Sequence, residues 1–342
     1  MLDIIIRNGT IIDGSGAPAF AGDIAIKDGL VAQVGEVSGE AVQEIDAKGL
    51  LVTPGWVDIH THYDGQATWD PYLTPSSWHG ATTVVMGNCG VGFAPAKPEE
   101  RDWLISLMES VEDIPGSALS EGMPWNWESF PEYLDALEEM PRAIDIGTQV
   151  PHCAVRSYVM GERCMTEMTA GEEDIQAMGD IVQEGLEAGA LGFSTSRTVI
   201  HLTKQGEPIP GTFAGKNEML GMAKAMKAAG HGVLEIASDF TEEDADLGWM
   251  RQASIENDIK VSVSLLQNDF APQAWKEVLN NINEANDDDA KLVAQVSARP
   301  TGVLMCLEGS TNPFAGRTTF RRVQALPLAE RVAEMRLPEV RE

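Results

Sequence analysis

Two patterns of apolar and polar positions follow one another along the chain. Over residues 1–50, short apolar-rich runs at 3–6, 10–12, 23–26 and 30–34 are separated by Asn8-Gly9, Asp13-Gly14, Asp28-Gly29 and Gly35. Asn-Gly and Asp-Gly between such runs are hairpin signals, because these residues tolerate the positive φ of tight turns. A small antiparallel β-layer is predicted there. From Leu50 onward, apolar runs of strand length alternate with stretches of helical period. The predicted strands are 51–60, 82–87, 144–150, 190–194, 233–238 and 260–266, with 303–307 as a seventh. Between them, 172–187 keeps Ile175, Met178, Ile181, Val182 and Leu186 on one side, and 217–229 and 244–257 behave likewise. Residues 113–127 carry Pro115, Gly116, Gly122 and Pro124 and read as a loop. Residues 129–137 read as a helix with Pro131 near its start, where proline is tolerated. Residues 326–340 read as a polar, charged helix.

Alternation of strand and helix argues for βα units on a parallel sheet. The expected fold is α/β, a TIM-barrel-like arrangement short of the eight strands of a closed barrel. The expected domains are a β-layer over residues 1–50 and a partial (β/α) barrel over 51–342.

Composition narrows the partners. The 342 residues include 53 acidic and 24 basic side chains, for a net charge of −29. Such a chain repels nucleic acid and anionic membrane surfaces. No stretch approaches the ~20 apolar residues of a membrane span, and the N-terminus lacks the pattern of a signal peptide. Four cysteines without CxxC spacing are too few for a disulfide framework in a chain this long, which fits a reducing cytoplasm. The tight acidic run at 287–289 reads as a loop tip.

The chemistry-bearing stretch is PGWVDIHTHYD at residues 54–64. Residues i and i+2 of a strand point to one face, so His60 and His62 would share one space at a strand end. Two imidazoles there make half a metal site; the plainer alternative is a pair of surface histidines. Cys89, in the turn GNCG at 87–90, is either a thiolate ligand or a buried small residue in a glycine-rich turn.

These motifs, with GALGFSTS at 189–196 and DIIIRNGTIIDGSG at 3–16, resemble the amidohydrolase superfamily, most closely its N-acyl-D-amino-acid deacylase (D-aminoacylase) branch. The resemblance runs over nearly the whole chain. It implies that residues 1–50 are half of a β-sandwich closed by C-terminal strands. It implies one or two divalent ions, zinc foremost, with His60 and His62 binding one metal and Cys89 ligating the tighter one. Two further family histidines fall at Ala237 and Leu265, which cannot bind metal. The family's general base, an Asp on the last barrel strand, falls beyond residue 342, so the chain reads as C-terminally truncated and no catalytic residue is assigned within it. The unpaired strand edge this leaves predicts self-association.

By the same resemblance Arg156 and Tyr158 lie on the substrate side, where Arg156 would grip a carboxylate; their alternative is a capped helix start on the rim. His201, in a loop ending at Pro210-Gly211, would line the substrate pocket. His79 and His152 read as structural and His231 as a surface residue. The expected activity is metal-dependent hydrolysis of N-acyl-D-amino acids or related small linear amides. The alternatives are a catalytically silent protein and a hydrolase with a single metal on His60 and His62.

Overall fold

A computed structural model describes residues 1–240, 247–268, 271–297, 305–307 and 312–341. The chain divides into two compact units, residues 1–57 with 78–83, and residues 58–77 with 84–342.

The first unit is built on β1 (Leu2–Ile11), β2 (Phe20–Lys27), β3 (Leu30–Gly35), β4 (Ala41–Asp46) and β5 (Leu51–Val52). The sheet order is β3-β2-β1-β4, with β5 also pairing β1. The β2–β3 hairpin turns at Asp28 and Gly29, both at positive φ (52° and 75°), as an Asp-Gly turn requires. Asn8-Gly9 is not a turn. β1 runs straight through it, and the register against β2 slips there: Ile6 faces Ile24, but Gly9 faces Gly22. One extra residue on β1 makes a bulge, with Asn8 at φ 60°. A Cβ on Gly9 would meet Val52 Cγ2 at 2.5 Å. The layer is also not wholly antiparallel, since β4 and β5 run parallel to β1.

The expected strand 51–60 is two strands. Pro54 has no N–H to give a ladder, and the chain breaks there into β5 and β6 (Trp56–Asp58). Leu50 and Leu51, apolar though they are, are more than half exposed.

The division between the units runs through β6 and β7 (Ala81–Met86), which with β8 (Asp145–Thr148) form a sheet of order β6-β7-β8. In the second unit, β9 (Val150–Pro151), β10 (Gly192–Arg197), β11 (Val233–Ser238), β12 (Lys260–Ser264) and β13 (Leu292–Gln295) form a parallel sheet of order β13-β12-β11-β10-β9. The two sheets do not close into a barrel among the described residues, so the fold is an incomplete TIM-barrel-like α/β fold. β13 stands where no strand was expected; the seventh strand was expected at 303–307. Residues 303 and 304 lie outside the described residues, and 305–307 carry no strand.

Helices α1 (Arg101–Glu112), α2 (Gly116–Gly122), α3 (Phe130–Glu138), α4 (His152–Met160) and α5 (Arg163–Thr166) precede β10 together with α6 (Glu172–Glu187). Helices α7 (Lys216–Ala229), α8 (Gly248–Asn257) and α9 (Ala274–Asp287) alternate with the later strands. Helices α10 (Thr318–Val323), α11 (Leu328–Met335) and α12 (Pro338–Arg341) follow. α2 replaces the expected loop at 113–127: Pro115, at φ −56°, immediately precedes its first turn, where a fixed φ suits a helix start. Among the described residues, no helix is long and apolar enough to cross a membrane.

The core of this unit lies between the parallel sheet and its helices. Phe193, Leu234, Ile236, Val261 and Val263 are fully buried, as are Met178, Val182 and Leu186 of α6 and Met222 and Met226 of α7. Each such side chain stabilises the fold by ~1.5–3 kcal/mol on burial. The exception is polar β10, where Ser194, Thr195 and Ser196 are buried beside Phe193. The Ser194 and Ser196 hydroxyls are engaged at the site described next, and that of Thr195 meets His152.

Candidate metal centre

Two loops, each following a strand, converge in the second unit. The first follows β6. His60 N donates to Asp58 Oδ1 (3.3 Å), and Thr61 donates to Val85 O through both N (2.9 Å) and Oγ1 (2.7 Å). Thr61 is thereby tied to β7, and the two histidines flank it with ring centroids 5.4 Å apart.

The second loop is the GNCG turn after β7. Gly87, Cys89 and Gly90 all have positive φ, at 73°, 54° and 70°. A Cβ on Gly87 would stand 2.2 Å from Gln149 O, so only glycine fits there. Asn88 is fully buried; its Nδ2 donates to Thr61 O and Val85 O, and its Oδ1 accepts from Gln149 Nε2 (2.7 Å). The Ser194 hydroxyl accepts from Gly90 N (2.9 Å) and donates to Gly87 O. Cys89 N donates to Glu235 Oε2 at 2.9 Å. This bracing holds a left-handed, non-glycine Cys89 with its Sγ 3.3 Å from His60 Nε2.

One ligand atom from each of His60, His62 and Cys89 lies within 4.8 Å of the others, and the same holds for Cys89, Glu112 and His201. His60 Nδ1 meets Gln295 Oε1 at 2.6 Å and Glu235 Oε1 at 3.9 Å. Such outer contacts orient a ligating imidazole. His62 Nε2 stands 3.4 Å from Glu112 Oε1, while its buried Nδ1 has no partner among the described residues. Burial, helped by His60, pushes His62 down to about 3, so the ring is neutral at physiological pH. Burial, then Glu235, Glu112 and Asp64, push the Cys89 thiol well up. Burial also raises the Glu112 and Glu235 carboxyls, and takes Asp64 to about 8. Asp64 Oδ2 has no hydrogen-bond partner among the described residues. Two imidazoles and a thiol ringed by carboxyls, with an orphaned ring nitrogen, make a donor set that fits a zinc-class cation.

The sequence matches the amidohydrolase family profile over residues 43–341. The chain belongs to the amidohydrolase family. It is 35% identical to a D-aminoacylase of Alcaligenes xylosoxydans xylosoxydans over 194 residues, 56% of this chain and 37% of that protein. Among solved structures, a D-aminoacylase studied for the role of its binuclear metal center superposes with a TM-score of 0.71 at 29% identity, covering 86% of this chain and 58% of that one. The N-acyl-D-glutamate deacylase of Bordetella bronchiseptica, complexed with zinc and a phosphonate inhibitor, gives 0.65 at 28% identity, covering 87% and 59%. This amidohydrolase therefore spans about 37–59% of the length of these relatives.

Ala237 and Leu265, where the resemblance implies two further histidines, are buried and offer no donor. Glu235, two residues before Ala237 on β11, instead reaches Cys89 and His60. A lone acid in the apolar strand VLEIAS is a sequence signal for such a role, and Gln295 at the end of LVAQ is another. Glu112, at the end of α1, carried no such signal.

The remaining expected site residues divide. His201 joins the cluster, with Nδ1 2.8 Å from Ser196 Oγ, and burial lowers its pKa. Arg156 does not reach it. Arg156 is 2% exposed; its Nε donates to Glu218 Oε1 (3.0 Å) and its other nitrogens to the carbonyls of Cys164, Glu167 and Met168. Four of its five N–H groups are thereby engaged within the fold, so the structure places Arg156 in an internal ion pair, away from the metal-ligand cluster. Glu218 Oε1 also meets His152 Nε2, and His152 Nδ1 meets Thr195 Oγ1, both at 2.8 Å. Tyr158 turns its hydroxyl to Glu128 (3.0 Å) and accepts Lys97 on its backbone carbonyl, so it too lies outside the cluster. His79 and His231 are exposed.

Proposed function

We propose that this amidohydrolase is a metal-dependent enzyme that hydrolyses a non-peptide C–N bond, most specifically the amide of N-acyl-D-amino acids or similar small linear amides. The observation that carries this reading is the convergence of His60, His62 and Cys89 on one point. The match to deacylases, one of them complexed with zinc, supports the substrate class. We further propose that residues 1–50 contribute half of a β-sandwich and 51–342 the partial barrel. The four unpaired cysteines support a cytoplasmic setting.

His60, His62 and Cys89 would hold the ion. When bound, it supplies Lewis-acid polarisation of the amide carbonyl and a water acidified towards neutrality. The protein's own contributions are positional and electrostatic. The low pKa of His62 keeps its ring neutral, so one of its two nitrogens has a lone pair free for a metal. Glu235 fixes the Cys89 backbone and faces His60, and Gln295 fixes the orientation of the His60 ring. A second reading is a hydrolase-like protein that holds a metal without turnover. It is favoured by the missing donors at Ala237 and Leu265.

Amine release from a panel of N-acetyl-D-amino acids, with zinc-loaded protein and after chelation, separates the two. The proposal expects turnover of at least one panel member, abolished by chelator and restored by zinc. Stoichiometric zinc without turnover of any amide supports the second reading, and turnover indifferent to chelator contradicts both.

A further inference from the structure

The second donor set is unlike the one the motifs announce. Glu112 comes from the end of α1, and His201 from the segment between β10 and α7, so neither stands on a barrel strand. Both are built into place. Asp113, at φ 53°, ends α1 in a left-handed turn directly after Glu112. The His201 segment is braced by Thr198 Oγ1 and Val199 N, which donate to Asp239 (2.5 and 2.8 Å), and by Ile209 N, which donates to His201 O (3.3 Å). Lys204 pairs with Glu109 of α1 at 2.5 Å, which ties this segment to the helix carrying Glu112. Ser196 Oγ, 2.8 Å from His201 Nδ1, fixes the ring.

Glu112 is largely removed from water, with 18% of its side chain exposed and His62 Nε2 3.4 Å away. One ligand atom from each of Cys89, Glu112 and His201 lies within 4.8 Å of the others. A divalent cation at that point would give the sheltered Glu112 carboxylate a charge partner.

We propose that Glu112, His201 and Cys89 ligate a second divalent cation of the zinc class, taking the place of the donors absent at Ala237 and Leu265. The Cys89 thiolate is then shared between this ion and the one on His60 and His62, its thiol proton passing to solvent as metal enters. Carboxylate, imidazole and thiolate together suit zinc better than magnesium or calcium, which take oxygen donors. The inference rests on the metal reading above, but it concerns different residues and is separable from it.

The test is zinc per chain in the purified protein, saturated with zinc alone and desalted, with far-UV circular dichroism as the folding check. The expected result is two equivalents in the wild type and one in Glu112→Gln or His201→Asn. His60→Ala and His62→Ala also fall to one. Glu112→His restores a donor and returns the count to two, which separates ligand loss from disturbed packing. An unchanged count in Glu112→Gln and His201→Asn overturns the inference, as does a Glu112→His variant that falls with Glu112→Gln. A wild type with one zinc, lost only in the His60 and His62 variants, overturns the inference and leaves the first metal reading standing. One zinc lost only in the Glu112 and His201 variants supports the inference and refutes the assignment to His60 and His62. A wild type that binds no zinc overturns both.

Discussion

At the scale of single residues, the GNCG turn is the most constrained part of the site. Gly87 combines a left-handed backbone with a backbone oxygen 2.2 Å from where a Cβ would stand. The left-handed conformation alone costs an L-residue ~1–2 kcal/mol, and the clash adds to it. Gly87→Ala is therefore expected to lose at least ~2 kcal/mol in chemical denaturation; a loss below ~0.5 kcal/mol would mean that the turn relaxes freely. The turn stood out in the sequence because its glycines flank a cysteine after an apolar strand, but only the family resemblance favoured a ligand over a buried small residue. Glu112 was not legible, because a glutamate at the end of an amphipathic helix is the commonest of surface residues. Only the fold, by turning α1 towards His62, gives it a partner.

At the scale of elements, α4 and α7 are locked by a buried trio. Glu218 of α7 takes both His152 and Arg156 of α4, and all three are nearly or fully buried. Removing one member of such a group leaves a charge unpaired, so Arg156→Ala is expected to cost ~3–5 kcal/mol of stability. A substrate-gripping arginine would behave differently, raising KM at unchanged Tm. The same trio sets a pH dependence. Burial tends to raise the Glu218 carboxyl, but His152 and Arg156 outweigh it and hold it below the usual carboxylate range. Its contribution is therefore present above the unfolded carboxylate pKa of ~4.3 and is lost as pH falls through the lower folded value. The acid limb of Tm against pH should be shallower in Glu218→Gln than in the wild type; parallel limbs would show that Glu218 does not titrate in this range. The histidine and arginine were visible in VPHCAVR, but a sequence does not show which carboxylate a fold brings to them. The substrate-side expectation for Arg156 did not foresee this partner for that reason.

At the scale of the whole molecule, periodicity read the βα alternation well where strands carry buried apolar residues, as Leu234 and Ile236 in β11 and Val261 and Val263 in β12, and where helices are amphipathic, as in α6. It read the first layer less well. Asn8-Gly9 carries a turn signature, yet β1 continues through it because the bulge lets Gly9 pass against Val52. It also missed the last strand of the parallel sheet, since four residues, LVAQ, give too short a run to stand out. That strand matters because it delivers Gln295 to His60. The account's central claim is that this assembly exists to hold a metal between His60, His62 and Cys89. X-ray absorption at the zinc edge of the zinc-loaded protein tests it most directly. The account predicts a mixed first shell, with sulfur at ~2.3 Å beside nitrogen at ~2.0–2.1 Å, and the loss of the sulfur contribution in Cys89→Ser. A shell of nitrogen and oxygen alone in the wild type, unchanged in Cys89→Ser, would contradict it.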